Sequence, residues 1–171
     1  MKHDRVTLAL HAVLAFAVCV QLVLGVSMDA PRPGVPADAV FQLHRFWGLG
    51  VLAVLAVHWL WQLSGRASNG MVALFPWCFR QRRVAVAASL GGLLSFPPRE
   101  PKKNLRALAG MLQGLGLLAA SLLAATGLIM FFGMADSGAA SAAVNAFRTL
   151  HGYASLLMWV YLAAHVGTVL L

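Results

Sequence analysis

A chain of 171 residues, 60% hydrophobic and only 11% charged, is too apolar for an ordinary soluble domain and has the size of one compact membrane bundle. Its formal net charge of +8 would point to nucleic acid if the cations lined a solvated domain, but they sit between long apolar stretches, which excludes that reading. The two cysteines, Cys19 and Cys78, fall at different expected depths and form no obvious disulfide.

The first apolar stretch, 6–28, follows Lys2 and Arg5. It is longer than the apolar region of a secretory signal, and no small-residue cleavage site follows it, so a retained helix is expected. The next segment, DAPRPGVPADAV, holds three prolines and reads as a non-helical loop or short cap. A second stretch, 43–64, opens at His44 and contains His58. The connection 65–104 that follows includes VALFPWCFRQRRVAVAASLGGLL, basic and rich in aromatics, as expected for an amphipathic segment lying on the inner membrane surface. Pro76, Arg80, Arg82 and Arg83 interrupt it too often for it to span, and PPREPKK turns the chain into the third stretch, 105–133. The last stretch, 146–171, carries His151 and His165 and runs to Leu171 without closing basic residues, so a very short or missing tail is expected.

Each stretch reaches the roughly 20 apolar residues that a crossing needs. The expectation is an all-α, integral-membrane four-helix bundle forming a single domain over 1–171. Lys2, Arg5, Arg66, Arg80, Arg82, Arg83, Arg99, Lys102, Lys103 and Arg106 flank one side, and only Arg32, Arg45 and Arg148 flank the other. This asymmetry places both termini in the cytoplasm, and anionic lipid headgroups account for the excess positive charge.

The histidines give this bundle a chemistry. His44 and His58 lie fourteen residues apart, as do His151 and His165. Fourteen helical residues make nearly four turns and rise roughly 21 Å, so each pair occupies one helix face at two depths of a bilayer. A single buried histidine is readily a helix-to-helix hydrogen bond, but five within the spans call for a common cause. His3 lies outside the spans and is expected to be solvated. Two opposed neutral imidazoles make a six-coordinate, low-spin heme iron suited to electron transfer, and two such irons would use this arrangement. No C-x-x-C-H motif is present, so any heme is held without covalent attachment.

By depth, His44 and His151 are the outer pair. His165 lies deeper, at the level of both His58 and His11, so three candidates compete for two inner positions. Spacing favours His58 with His165, because two helices would then supply all four ligands. Gly25 follows His11 by fourteen residues and pulls the other way: a glycine there removes a side chain that would meet a porphyrin edge. Gly116 and Gly127 return to one face of the third helix, where close helix packing is the competing explanation.

Four stretches, RVTLALHAVLAFAVCVQLVLG, LHRFWGLGVLAVLAVHWLWQL, NLRALAGMLQGLGLLAASLLAATGLIM and LHGYASLLMWVYLAAHV, together resemble the prokaryotic cytochrome b561 family. Its superfamily includes the diheme cytochrome b subunits of formate dehydrogenases, nickel-iron hydrogenases and thiosulfate-reductase-like enzymes. The resemblance covers all four spans, with the histidine order as its most specific element.

It implies that His44 and His151 hold an outer heme b, and that His11 and His165 hold an inner one. Many relatives carry a basic residue near the position of His58, so His58 is expected to bond a heme propionate or to line a quinone pocket. Asn104 resembles an asparagine near the quinone pocket of the formate dehydrogenase branch, although an asparagine before a helix is also an ordinary cap. Gly25, Gly48, Gly127 and Arg45 are candidates for heme packing or propionate contact. Arg148, Arg66 and Arg106 face headgroups or heme carboxylates. Trp47, Trp59, Trp61 and Trp159 are expected to pack the bundle or anchor it at the interface.

The implied function is electron transfer in a bacterial inner membrane, between a quinone at the cytoplasmic side and a redox partner outside, with no catalytic side chain assigned. Expected partners are membrane lipid, the quinone pool, and a redox protein or catalytic subunit; a second copy of the chain is a further candidate, and nucleic acid is not. A stand-alone superoxide:ubiquinone oxidoreductase is the redox alternative. It would need an outer cationic funnel, and Asp29, Asp38 and Asp136 offset Arg32, Arg45 and Arg148. A heme-free metal or proton transporter is the alternative of another class.

Overall fold

The computed structural model describes residues 4–32, 34–67, 70–94, 105–135 and 137–170. The described chain is helical: α1 (Arg5–Ser27), α2 (Ala39–Leu63), the single turn α3 (Met71–Leu74), a 3-10 turn (Pro76–Cys78), α4 (Arg80–Leu94), α5 (Leu105–Gly133) and α6 (Ala142–Leu170). Among the described residues the only extended pairing is two isolated bridges, Arg32 with Val35 and Met134 with Ala140.

Helix starts follow from caps. The Asp4 carboxylate accepts from the Thr7 backbone N–H at 2.6 Å and from the Thr7 hydroxyl at 2.7 Å, opening α1. Asp38 accepts from the Phe41 N–H at 2.6 Å, so α2 begins at Ala39, four residues before the apolar stretch suggests. Its second oxygen accepts from the Asp29 N–H at 3.1 Å and pins the loop. Ser141 does the same for Val144 at 3.3 Å, so α6 begins at Ala142 and not at 146. The Asn104 position lies outside the described residues.

Three described helices are long and apolar enough to cross a membrane: α1, α2 and 107–133 of α5. The fourth expected span forms α6, 29 residues long, but that helix is not among the three. It carries Asn145, Arg148, His151 and His165 within its run. The outward faces are apolar, with Phe16, Leu60 and Phe132 all exposed, Phe132 to 79%. Such a surface suits lipid and not water.

The long helices form two hairpins. α1 packs along α2, α5 packs along α6, and α2 against α5 joins the hairpins. Backbone approach of α6 to α1 or α2 is slight, which leaves a seam between the hairpins. Leu14, Ala17 and Leu22 of α1, Val51 and Leu55 of α2, Leu117 and Ala120 of α5 and Met158 of α6 form the buried core around it.

The tryptophans of α2 are hydrogen-bonded staples as well as packing. The Trp47 indole donates to the Ala17 carbonyl at 3.0 Å and Trp61 donates to the Thr7 hydroxyl at 2.9 Å, both on α1. Trp59 donates to the Ser121 hydroxyl of α5 at 3.0 Å and so crosses between hairpins. Three indoles therefore fix the rotation of the helix that presents His44 and His58.

Part of the long connection packs onto the bundle. Leu74 is fully buried, and Gly110 and Gly114 of α5 admit the α3 backbone: a Cβ at either would overlap a carbonyl oxygen, of Ala73 and Leu74 respectively. Phe75 stacks on Trp59 with centroids 6.2 Å apart. In α4 the charge is gathered in the first turn, at Arg80, Arg82 and Arg83, and Val86 and Ser89 are buried.

Candidate functional site

The seam holds two cavities, one above the other. The larger, about 220 Å³, lies between His44 of α2 and His151 of α6. The smaller, about 80 Å³, lies between His11 of α1 and His165 of α6, with His58 also in its wall. Val18, Ala120 and Met158 line both and form the partition.

Across each cavity two imidazoles face each other edge to face. His44 and His151 have ring centroids 6.4 Å apart at an interplanar angle of 85°, and His11 and His165 are 6.0 Å apart at 66°. An imidazole nitrogen binds a metal at roughly 2.0–2.1 Å and lies about 1.1 Å from its own ring centre, so two ligands on opposite sides of one ion stand about 6 Å apart. Both pairs fit that separation. Among the described residues no group of three or more histidine, cysteine or acidic side chains could hold a metal ion. Paired imidazoles inside an apolar bundle fit heme iron.

Two of the glycines stand beside these rings. A Cβ at Gly25 would lie 3.4 Å from His44 Cε1, and one at Gly127 would lie 3.4 Å from His151 Cε1. Each glycine thus stands on the hairpin partner of the helix that carries the histidine. Gly48 completes a reciprocal fit: a Cβ there would lie 3.0 Å from the Gln21 amide nitrogen. Gln21 and Gly25 of α1 therefore meet Gly48 and His44 of α2, large against small at both levels. Gly116 differs from Gly25 and Gly127, because its space is filled by the Tyr161 ring, which a Cβ would overlap.

Hydrogen bonds distinguish the two rings of the larger cavity. Gln21 Nε2 donates to the His44 carbonyl at 3.1 Å and lies 3.1 Å from His44 Nε2, and the ring of His44 also lies beside the Gln21 backbone. His151 Nδ1 lies 2.8 Å from the Thr126 hydroxyl oxygen. In the smaller cavity, His165 stacks on Tyr161 one turn earlier, at 5.5 Å and 15°.

His58 lines the same smaller cavity and lies near His11 of α1. It is 1% exposed, and its ring nitrogens make no well-formed hydrogen bond among the described groups, the Leu10 backbone being the polar group beside them. Gln62, one turn on and 2% exposed, has the same deficit at both amide atoms. Buried polar groups of this kind ordinarily meet water or a ligand.

Arg45 lines the larger cavity, and its guanidinium also closes the end of α5. Nη2 donates to the Phe131 carbonyl at 3.2 Å, and the group lies 4.9 Å from the Phe131 ring centre. Gln21, Thr126, Ser121 and Tyr161 were not legible as site residues. Gln21 alone carried a signal, a polar side chain one turn before Gly25 in an apolar span.

A family model described as prokaryotic cytochrome b561 matches residues 2–171. No curated protein and no solved structure matches the chain.

Proposed function

The chain belongs to the prokaryotic cytochrome b561 family, and from that premise we propose that it is a diheme b-type cytochrome passing single electrons between a quinone and a redox partner. The observation that carries the proposal is the pair of facing imidazoles in each cavity, at 6.4 and 6.0 Å. In this reading His44 and His151 hold the outer heme, and His11 and His165 hold the inner one. Heme b supplies a one-electron iron couple, and the partition of Val18, Ala120 and Met158 keeps the space between the sites apolar.

α6 is the fourth crossing, and the weight of cations on one side sets both termini in the cytoplasm. The cytoplasmic inner membrane face is then the quinone side. His58 in the wall of the inner cavity and Gln62 one turn beyond it, both buried, offer donors to a propionate or a quinone carbonyl. The outer loops face the redox partner, and Arg45 in the wall of the larger cavity stands where a heme propionate would lie.

The test is optical and stoichiometric. Purified protein should show a b-type α-band in its reduced-minus-oxidized spectrum and two hemes per chain. His11→Ala should lose one heme and His58→Ala should keep both. Absence of the α-band ends the cytochrome reading, and the reverse outcome of the two variants overturns the inner ligand set.

A further inference from the structure

We propose that Thr126 is a positioning residue for the outer heme, fixing the proton of the His151 imidazole on Nδ1 and leaving Nε2 as the ligating atom. The proposal rests on the diheme reading above. Thr126 lies in α5, 2% exposed, within reach of two backbone carbonyls of its own helix: its oxygen is 2.8 Å from Leu122 O and 3.1 Å from Leu123 O. A hydroxyl has one proton, and these carbonyls accept it. What the oxygen has left is acceptor capacity.

His151 Nδ1 stands 2.8 Å from that oxygen. Since the hydroxyl proton is committed to α5, the shared hydrogen must come from the imidazole. Nδ1 therefore carries the proton and Nε2 the lone pair. Buried threonines in apolar helices commonly back-bond to the preceding turn, and that alone would be a structural habit. Here the back-bond also dictates the direction of the second bond.

The neighbouring residue completes the seat. Gly127 clears the space beside His151 Cε1, while Thr126 holds Nδ1, so two consecutive positions of α5 govern how the ring is turned. Among the described groups the opposite ring has no hydroxyl at this place: His44 lies beside the Gln21 backbone, as His151 lies beside that of Leu123, and the Gln21 amide lies at its Nε2. The two facing imidazoles are thus held unequally. A hydrogen bond donated from the distal ring nitrogen raises the basicity of the ligating one, and a more basic ligand favours ferric over ferrous iron. Thr126 accordingly holds the outer heme at a lower potential than bis-imidazole ligation alone would give.

The experiment uses the full chain with its hemes, in Thr126→Val, Thr126→Cys and Thr126→Ser variants. Redox titration of the α-band and low-spin electron paramagnetic resonance are recorded, with His151→Ala identifying the outer component. Thr126→Val should move that component alone to higher potential, alter its g-values and weaken heme retention by roughly 10- to 100-fold. Thr126→Cys, a weaker acceptor, should shift it less in the same direction, and Thr126→Ser should titrate as wild type. If Thr126→Val loses the outer heme, the cysteine and serine variants decide. Wild-type potentials in the valine or cysteine variant, an equal shift of both hemes, or a serine variant that fails to restore the wild-type value overturns the proposal. Wild-type protein with fewer than two hemes, or His151→Ala that keeps both, sinks the diheme reading instead.

Discussion

Replacing Gly127 with successively larger residues tests whether the glycine exists to seat a ligand ring. An alanine Cβ would lie 3.4 Å from His151 Cε1 and 3.9 Å from Nδ1, close to the ordinary carbon contact of about 3.5–4.0 Å. Alanine therefore fits, and it carries a better helix propensity than glycine. A further carbon stands about 1.5 Å beyond Cβ, and valine in a helix is held almost entirely in one rotamer, so its methyls have little freedom to swing away. Overpacking of this kind costs about 1–3 kcal/mol, and with a tenfold change per 1.4 kcal/mol the affinity of that site for heme falls roughly 5- to 150-fold. Gly127→Ala should retain two hemes per chain, while Gly127→Val and Gly127→Leu should lose one, read as heme content and rate of heme loss. Gly25 should behave alike toward His44, and Gly50→Val should retain both hemes, because no atom lies within 4 Å of where a Cβ at Gly50 would stand. A Gly127→Leu protein with two hemes at wild-type affinity refutes the argument, as does an alanine variant that loses as much as leucine.

The link between hairpins predicts a coupling between Trp59→Phe and Ser121→Ala of about 0.6 kcal/mol, with an upper bound near 1.7, measured as a double-mutant cycle in detergent unfolding; a coupling of zero would leave packing alone. Gly114→Ala should lift α3 off α5, because the methyl falls on the Leu74 carbonyl, and proteolysis between residues 65 and 79 should accelerate. Gly91→Ala, in open space, is its control, and equal cleavage in the two would refute the docking. Arg45→Lys keeps the charge but loses the planar contact with Phe131, so stability should drop by about 1 kcal/mol. A lysine variant as stable as wild type would show that the charge suffices.

Much of this was legible because histidine is costly in a bilayer and helical periodicity is simple. His11, His44, His58, His151 and His165 all stood out against an apolar background, and spacing gave depths to two pairs, although on its own it favoured His58 over His11 as the partner of His165. Helix starts were less legible: apolar runs mark where lipid begins, whereas Asp38 and Ser141 start α2 and α6 in the polar flank. Thr126 could not be read at all, since a threonine in a span satisfies itself against its own helix, and only the neighbouring helix reveals its second bond. The same holds for Gly110 and Gly114, which look like ordinary helix-packing glycines until α3 is placed on them.

The two-hairpin construction has a consequence for how the protein is made. On the proposed ligation, each iron takes one imidazole from the first hairpin and one from the last helix, so neither hairpin owns a complete site. Direct packing between the hairpins runs mainly through α2 and α5. Each hairpin can insert with its own backbone satisfied, but their closure gains free energy with each heme that enters the seam. On that reading, a bound cofactor would strengthen a closure that the shared core and the Trp59–Ser121 bond already make, so heme supply would tune how firmly the two hairpins hold together.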